Sequence, residues 1–342
     1  MVKYTKISFI KIKVNMLDAY PTLPHSGIAA VVGRTNAGKS TLVNKIVGEK
    51  ISIVSPVVQT TRNIIRGILT EDRGQLVLID TPGLHKSRSL LCTAMNKRAR
   101  GAIEGADVVL LVVDASKSPQ LEDDGWMRRI IANPPEKCFI LLNKADIESK
   151  TDEFKALWSS LEKEIAEQFE QQKAKAKEKG KEVVDKPLEK VVPVWFEGSA
   201  ITGDGIDKLV DALFEALPPG PMLFDEEMIT DYPRKLAVSD AVREEFFKIL
   251  KNELPHSIGV FVEHLREPAP DVWRVEATVF VRRQNHKGIV IGQNGKNIRR
   301  VRAGAEQTIS DNYGVKASIE LNVKVAPDWD GNEHILRSMG CL

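Results

Sequence analysis

Residues 33–40 read Gly33-Arg34-Thr35-Asn36-Ala37-Gly38-Lys39-Ser40, with Thr41 next. A glycine, four residues and then Gly-Lys-Ser is the spacing at which consecutive backbone amides ring a phosphate. Lys39 then reaches its β/γ oxygens, and Ser40 offers a hydroxyl to Mg²⁺. Such a run also arises by chance in flexible Gly/Lys loops. Here the apolar Gly27-Ile28-Ala29-Ala30-Val31-Val32 precedes it and reads as a buried strand, while residues 41–47 read as a helix. A strand, a glycine loop and a helix in that order turn the helix N-terminus toward the phosphates.

Two further motifs follow at strand ends. Asp80-Thr81-Pro82-Gly83 closes the strand-like segment 75–79. An aspartate at the carboxyl end of a strand facing a phosphate loop is the usual place from which Mg²⁺ is held through water. Asn143-Lys144-Ala145-Asp146 closes the run 138–142. The Asp146 carboxylate matches the ring N–H and exocyclic amine of guanine. Adenine lacks that donor pair, and a site of this kind discriminates by about 10⁴. Asn and Asp also gather after strands for reasons of turn geometry, so the position behind a phosphate loop carries the reading. The residue that follows Gly83 is Leu84, whose side chain cannot hydrogen-bond.

These residues require an α/β frame. Residues 63–70 and 75–79 read as strands joined by Glu71-Asp72-Arg73-Gly74, too short for a crossover, so the pair must be antiparallel. Runs 108–113 and 138–142 are continuously apolar, as in strands covered on both faces. After a strand over 191–196 comes Ser199-Ala200. Ile206, Leu209, Val210, Leu213, Phe214 and Leu217 then fall at helical spacing, and the helix stops at Pro218-Pro219. Residues 168–190 are dominated by Glu, Lys, Gln and Ala. They read as a solvated helix extension or a mobile loop, with a binding arm as the sharper alternative.

Beyond the polar, proline-rich boundary at 218–227, a helix is expected over 236–254, with Val242, Phe246, Ile249 and Leu250 on one face. Strands over 258–265 and 272–281, a helix over 296–312 and a last strand over 316–325 follow. Between them lies Ile291-Gly292-Gln293-Asn294-Gly295, flanked by short helices. This unit resembles the GxxG loop of a KH domain, and the element order is that of the prokaryotic type. Two glycines free of Cβ let backbone approach a sugar-phosphate chain, and the next helix offers amides to phosphate. Ile289, Ile291, Ile298 and Val301 are expected to floor a groove for unstacked bases. A helix-turn-helix corner explains the glycines equally well. Residues 282–302, however, hold Arg282, Arg283, Lys287, Lys296, Arg299, Arg300 and Arg302 and no acidic residue. A run so one-sided points to a nucleic-acid backbone rather than a plain solvated face. It contains no aromatic, against an RRM-like stacking platform.

The 342 residues suffice for two domains, and a net charge of +2 means that nucleic-acid binding must be local. Cys92, Cys138 and Cys341 are odd in number and lack metal-type spacing, which fits a reducing compartment. No apolar run approaches the ~20 residues of a membrane helix. The basic N-terminus, with Lys3, Lys6, Lys11 and Lys13, lacks a signal-peptide pattern and reads as a dispensable extension, with Met16 an alternative start.

The phosphate loop, Thr60-Thr61-Arg62, Asp80 to Gly83, the Asn143 to Asp146 motif and Ser199-Ala200 resemble the five signature elements of a translation-factor-class GTPase. With the KH-like half, the chain from about Ser26 to Val325 resembles the Era GTPase family. Departures are the N-terminal extension, Thr35 in place of the usual proline, the 168–190 expansion and a short tail after Pro327. The resemblance implies a P-loop GTPase domain with a mixed, mostly parallel sheet, followed by an α+β type II KH domain. The implied layout is an extension (1–25), a G domain (26–218), a linker (219–231), a KH domain (232–327) and a tail (328–342). It implies GTP/GDP as nucleotide, held by residues 33–41, Asp80 to Leu84, Asn143, Lys144, Asp146, Ser199 and Ala200. Ser40, Thr61 and Asp80 are the implied Mg²⁺ ligands, and Lys39, Thr61 and Asn36 the implied catalytic residues. Two β-branched residues starting a strand is the plain alternative for Thr60-Thr61. Leu84 stands where signalling GTPases place the glutamine that orients the attacking water, so the resemblance implies slow intrinsic hydrolysis unless another group positions that water. Asn36 resembles the asparagine that holds K⁺ in cation-activated GTPases, or else it stabilises the loop turn. Lys287, Ile291, Gly292, Gln293, Asn294, Gly295, Lys296, Arg299 and Arg300 are the implied RNA contacts. The implied partners are 16S rRNA and the 30S subunit, for a cytoplasmic monomer that acts in small-subunit maturation. The family also carries peripheral association with the inner face of the plasma membrane, for which the sequence offers only its basic N-terminus. Rival readings are an RNA-binding adaptor with a structural nucleotide and a cation-activated tRNA-modification GTPase.

Overall fold

The computed structural model describes residues 23–54, 62–83, 89–178, 190–250 and 254–342. Residues 1–22, Thr60, Thr61, Leu84 and the 179–189 part of the expansion lie outside the described residues.

The first half is built on β1 (His25–Val32), β2 (Ile65–Glu71), β3 (Gly74–Asp80), β4 (Val108–Asp114), β5 (Cys138–Asn143) and β6 (Val194–Gly198). Their order is β2-β3-β1-β4-β5-β6, parallel except for the antiparallel β2–β3 pair. All seven residues of β4 and all six of β5 are buried, because helices cover both faces. On one face α1 (Lys39–Val47) and α5 (Ile206–Ala216) bring Leu42, Val43, Leu209, Leu213 and Phe214 onto the sheet. On the other, α2 (Leu90–Glu104), α3 (Leu121–Ala132) and α4 (Thr151–Glu178) bring Ala99, Trp126, Ile130, Phe154 and Trp158. The first three turns of α4 are anchored by Phe154, Trp158 and Leu161, whereas residues 166–175 are exposed or only partly buried. Of the alternatives for the 168–190 expansion, the helix extension describes its course to Glu178, solvated over residues 168–175.

The second half is α6 (Arg234–Ile249), β7 (Ile258–Ala269), β8 (Val272–Val281), α7 (Gln284–Ile291), α8 (Lys296–Tyr313) and β9 (Lys316–Val325). β7 and β8 are antiparallel, and β9 lies parallel to β8. This helix-strand-strand-helix-helix-strand order is that of a type II KH domain. Its core packs Val242 and Phe246 of α6 and Val301, Ala305 and Ile309 of α8 on the sheet. Val301 is 0% exposed, so it belongs to this core and not to a groove floor. The expectation that placed it under unstacked bases is corrected: on α8 it points to the sheet together with Ala305 and Ile309, the i, i+4, i+8 face.

The segment after Pro327 is not a loose tail. It forms α9 (Glu333–Ser338), with Asn332 as its cap accepting from the Ile335 N–H at 3.1 Å. Trp329, Leu336, Met339 and Cys341 are buried against Leu91 and Met95 of α2. The helical spacing of Leu336 and Met339 behind a tryptophan is the signal that a reading of 328–342 as tail passes over.

Candidate functional site

Parallel strands bring their carboxyl ends to one edge of the sheet. Register sets Val31 opposite Asp80, Val32 opposite Leu111, Asp114 opposite Asn143 and Asn143 opposite Gly198. The phosphate loop, Asp80, the Asn143 to Asp146 loop and the Ser199-Ala200 turn therefore meet at a crevice of the kind where open α/β sheets bind ligands.

Gly38 has φ 99°, and a Cβ there would lie 2.2 Å from Asn143 Nδ2, so conformation and space both demand glycine. The next residue starts α1, whose first turn carries Ser40 and the partly buried Thr41. Lys39 is buried, and its Nζ donates to the Gly33 and Arg34 carbonyls at 2.9 and 2.8 Å. Burial lowers its pKa to about 8, with Asp80 pulling the other way and Arg34 adding to the fall. Ser40 Oγ donates to Asp80 Oδ2 at 2.7 Å, and Asp80 is fully buried. A hydroxyl beside a carboxylate at the phosphate edge is an oxygen donor set of the kind Mg²⁺ takes. Thr81 Oγ1 donates to the Val31 carbonyl at 2.8 Å and fastens the end of β3 to β1. Pro82 is buried, and Gly83 lies so close to Thr35 that a Cβ would approach Thr35 Cγ2 to 2.5 Å.

Asn143 ties three loops together. Its Nδ2 donates to the Ala37 carbonyl at 2.7 Å, and its Oδ1 accepts from the Ala200 N–H at 2.9 Å. Buried Ser199 turns its Oγ inward to accept from the Ile201 and Thr202 amides at 3.3 and 3.2 Å, which fixes the Ala200 turn. Asp146 is exposed at the rim, where a base can reach its carboxylate. Lys144 and Asn36 both take left-handed conformations, at φ 67° and 60°. Lys144 Nζ donates to the Asn36 carbonyl at 2.9 Å and to Asp114 Oδ2 at 2.7 Å. Asp114 and Asp123 are site residues that motif reading did not supply. Asp114 closes an apolar strand just as Asp80 does, which was the available signal. Burial alone would raise the Asp114 carboxyl, but hydrogen bonds from Lys144 and Ser116 outweigh it and hold it below its ordinary value. Burial does raise Asp123, against the Gln120 amide and Arg34.

The KH face is formed by the turn between α7 and α8. Gly292 (φ 75°) leaves no room for a side chain, since a Cβ would lie 2.7 Å from Asn297 Cγ. Gly295 (φ 74°) is open, with Arg299 Cζ and Ile298 Cγ2 at 4.0 Å as the nearest atoms. Gln293 and Asn294 between them are exposed. Ile289 is half exposed and Ile291 and Ile298 are partly so, leaving an apolar strip beside the turn. Arg299 Nη2 donates to the Asn294 carbonyl at 2.7 Å and so shapes the turn itself. Arg282 is taken up by Asp330, and Arg302 lies 3.9 Å from Glu306. Among the described residues, Arg283, Lys287, Lys296 and Arg300 have no ion-pair partner.

Fold and site thus define a guanine-nucleotide hydrolase joined to a KH domain. Family models described as 50S ribosome-binding GTPase and KH domain match residues 28–144 and 253–330. GTPase Era of Lacticaseibacillus paracasei is 34% identical over 318 residues, 92% of this chain and 96% of that one. GTPase Era of Ruminiclostridium cellulolyticum is 35% identical over 317 residues, 92% and 97% of the two chains. The chain belongs to the GTPase Era family. A solved tyrosine-to-alanine variant of Aquifex aeolicus Era bound to GDP·AlF4⁻ aligns at a TM-score of 0.77 and 30% identity, covering 93% of this chain and 99% of that one. Era in complex with MgGDPNP and nucleotides 1506–1542 of 16S ribosomal RNA aligns at 0.75 and 30%, with the same coverages.

Proposed function

We propose that this GTPase binds single-stranded rRNA through the α7–α8 turn and acts in maturation of the small ribosomal subunit, with 16S rRNA and the 30S particle as partners. The observation that carries the reading is the turn itself. Its two glycines hold exposed Gln293 and Asn294, and Arg283, Lys287, Lys296 and Arg300, without ion-pair partners among the described residues, lie on or at the start of the flanking helices. Phosphate contacts position a strand, and an apolar strip accepts splayed bases. Crosslinking the protein to RNA in cells and sequencing the bound fragment tests it. Recovery of the 3′ region of 16S rRNA is expected, and recovery of tRNA alone would overturn the assignment.

In the nucleotide site, residues 33–41 cradle the phosphates and Asp146 reads guanine. Asn143, Lys144, Ser199 and Ala200 hold the base turns in place. Ser40 and Asp80 would hold Mg²⁺, with Thr61 as the further ligand. The ion supplies charge neutralisation for the β and γ phosphates. Lys39 adds a second cation from the protein side.

A K⁺ ion beside Asn36 is proposed as the additional charge that offsets Leu84. Asn36 supports this by its place: it is exposed, in a left-handed turn at the rim of the phosphate loop. Phosphate release should run faster in K⁺ than in Na⁺ at equal ionic strength. A rate indifferent to the cation, with Asn36→Ala behaving as wild type, leaves Asn36 as a turn residue only. The protein is further proposed to act as a cytoplasmic monomer, with any contact to the inner face of the plasma membrane made through its basic N-terminal residues.

A further inference from the structure

Four buried or half-buried charges lie behind the nucleotide loops and form a closed bridge. Arg34 Nη2 is 3.2 Å from Asp114 Oδ2, and its Nε is 3.1 Å from Asp123 Oδ2. The same Asp114 oxygen takes Lys144 Nζ at 2.7 Å. Lys144 then returns to the phosphate loop through the Asn36 carbonyl. The path runs from the phosphate loop at Arg34, through the end of β4, into the guanine loop, and back to the phosphate loop two residues on. Asp123 pins this bridge from outside. It stands in the first turn of α3, accepts from the Gln120 N–H at 2.9 Å, and is 0% exposed. Two carboxylates balance two cations in one buried cluster.

Burying charges is costly unless they are paired, and such clusters are better explained by what they position than by stability. The two backbone positions that the bridge joins, Asn36 and Lys144, are left-handed non-glycine residues. Conformations of that kind persist where the surroundings over-determine them. Arg34 and Lys144 share one oxygen of Asp114. Without the second carboxylate, Arg34 draws harder on that oxygen at the expense of Lys144. The guanine loop then loses one of its two ties to the phosphate loop, keeping that of Asn143 to the Ala37 carbonyl.

We propose that Asp123 is a positioning residue for the GTPase reaction, which holds the phosphate and guanine loops at a fixed spacing through Arg34 and Asp114 and thereby sets nucleotide retention. This rests on the guanine-nucleotide reading of the site, and a GDP titration of the wild-type protein examines that reading before any variant is made. Asp123→Asn keeps an acceptor for the Gln120 amide and removes only the charge. Release of a fluorescent GDP is expected to quicken about tenfold. The KM for GTP is expected to rise by more than any fall in kcat. The preference for GTP over ITP, which lacks the exocyclic amine, is expected to shrink as the guanine loop loosens. Asp123→Glu keeps the charge and should stay within about threefold of wild type. A purely structural Asp123 would lower the melting temperature and leave release and the GTP:ITP ratio unchanged at temperatures well below it, which would overturn the proposal. Should Asp123→Asn fail to fold, Arg34→Gln provides the same test, since a neutral amide carries no charge to hold the two carboxylates together. Wild-type GDP release in that variant overturns the proposal equally.

Discussion

Lys39 stands in the phosphate loop with its charge on a single buried nitrogen. Its Nζ donates to two carbonyls of its own loop, and burial leaves its pKa at about 8 rather than 10.5. A phosphate brought within reach favours the charged form, so nucleotide binding raises that pKa. Above pH 8 binding must therefore take up a proton, and affinity falls as pH rises; below pH 8 the lysine is already charged and affinity is flat in this respect. The stability term has the opposite slope. Between about 8 and 10.5 the unfolded chain binds more protons than the folded one, so this group makes the protein more stable as pH rises. Titrating GDP at pH 7, 8 and 9 checks the binding claim. An affinity that stays constant to pH 9 would show that Lys39 does not meet the phosphates as its ammonium form.

At the scale of elements, the α7–α8 turn makes a separable prediction. Replacing Gln293 and Asn294 by Asp sets two carboxylates where phosphates must come. Like charges facing each other cost several kcal/mol, so RNA binding should weaken at least tenfold. The fold should hold, since both side chains are exposed. Arg300→Ala should flatten the salt dependence by about 0.7 of a unit on single strands. Arg299→Ala should do more, because Arg299 also holds the Asn294 carbonyl. If the Asp pair binds single-stranded RNA as tightly as wild type, the basic stretch is only a solvated surface. Legibility in the sequence follows from the range of the forces at each element. β4 and β5 can be read because strands buried on both faces leave an unbroken apolar run. The phosphate loop and the Asn143 to Asp146 loop can be read because their chemistry sits on consecutive residues. Asp123 escapes such reading, since its partner Arg34 is 89 positions away and nothing in α3 itself announces the ion pair. Val301 is misassigned for a related reason: its neighbours are basic, and only the helix phase set by Ala305 and Ile309 turns it to the core.

At the scale of the whole molecule, the two halves are joined by a buried polar seam. Arg62 and Asn63 are both buried, and Arg62 Nη1 donates to the Ile258 carbonyl of β7 at 3.0 Å. Asn63 Nδ2 donates to Tyr232 Oη at 3.2 Å, and Tyr232 in turn donates to Asp240 of α6 at 2.8 Å. Arg98 of α2 donates both to Asn63 Oδ1 and to the Gly340 carbonyl, at 3.0 and 2.8 Å. The linker is fastened as well. The Gln75 side chain accepts from the Leu223 and Phe224 amides at 2.8 Å and donates to the Phe224 carbonyl at 3.1 Å. Trp329 covers the seam. Its indole N–H donates to the Ser257 carbonyl at 3.0 Å, the Arg62 guanidinium carbon lies 5.3 Å from its ring centre, and it packs against Gly259. Domain interfaces within one chain are mobile unless they are large and apolar, so a seam of buried hydrogen bonds depends on whatever keeps water out of it. Trp329 is 1% exposed and fills that place. Trp329→Ala should cost about 3–5 kcal/mol by the removal of a large buried ring. Tyr232→Phe, which loses hydrogen bonds but no volume to speak of, should cost about 1–3 kcal/mol. In urea the intact protein should unfold in one transition reported alike by fluorescence and circular dichroism. Trp329→Ala should split it in two, as each half unfolds on its own terms. A single, unshifted transition in that variant would mean that the carboxy-terminal segment rests on the seam without holding it closed.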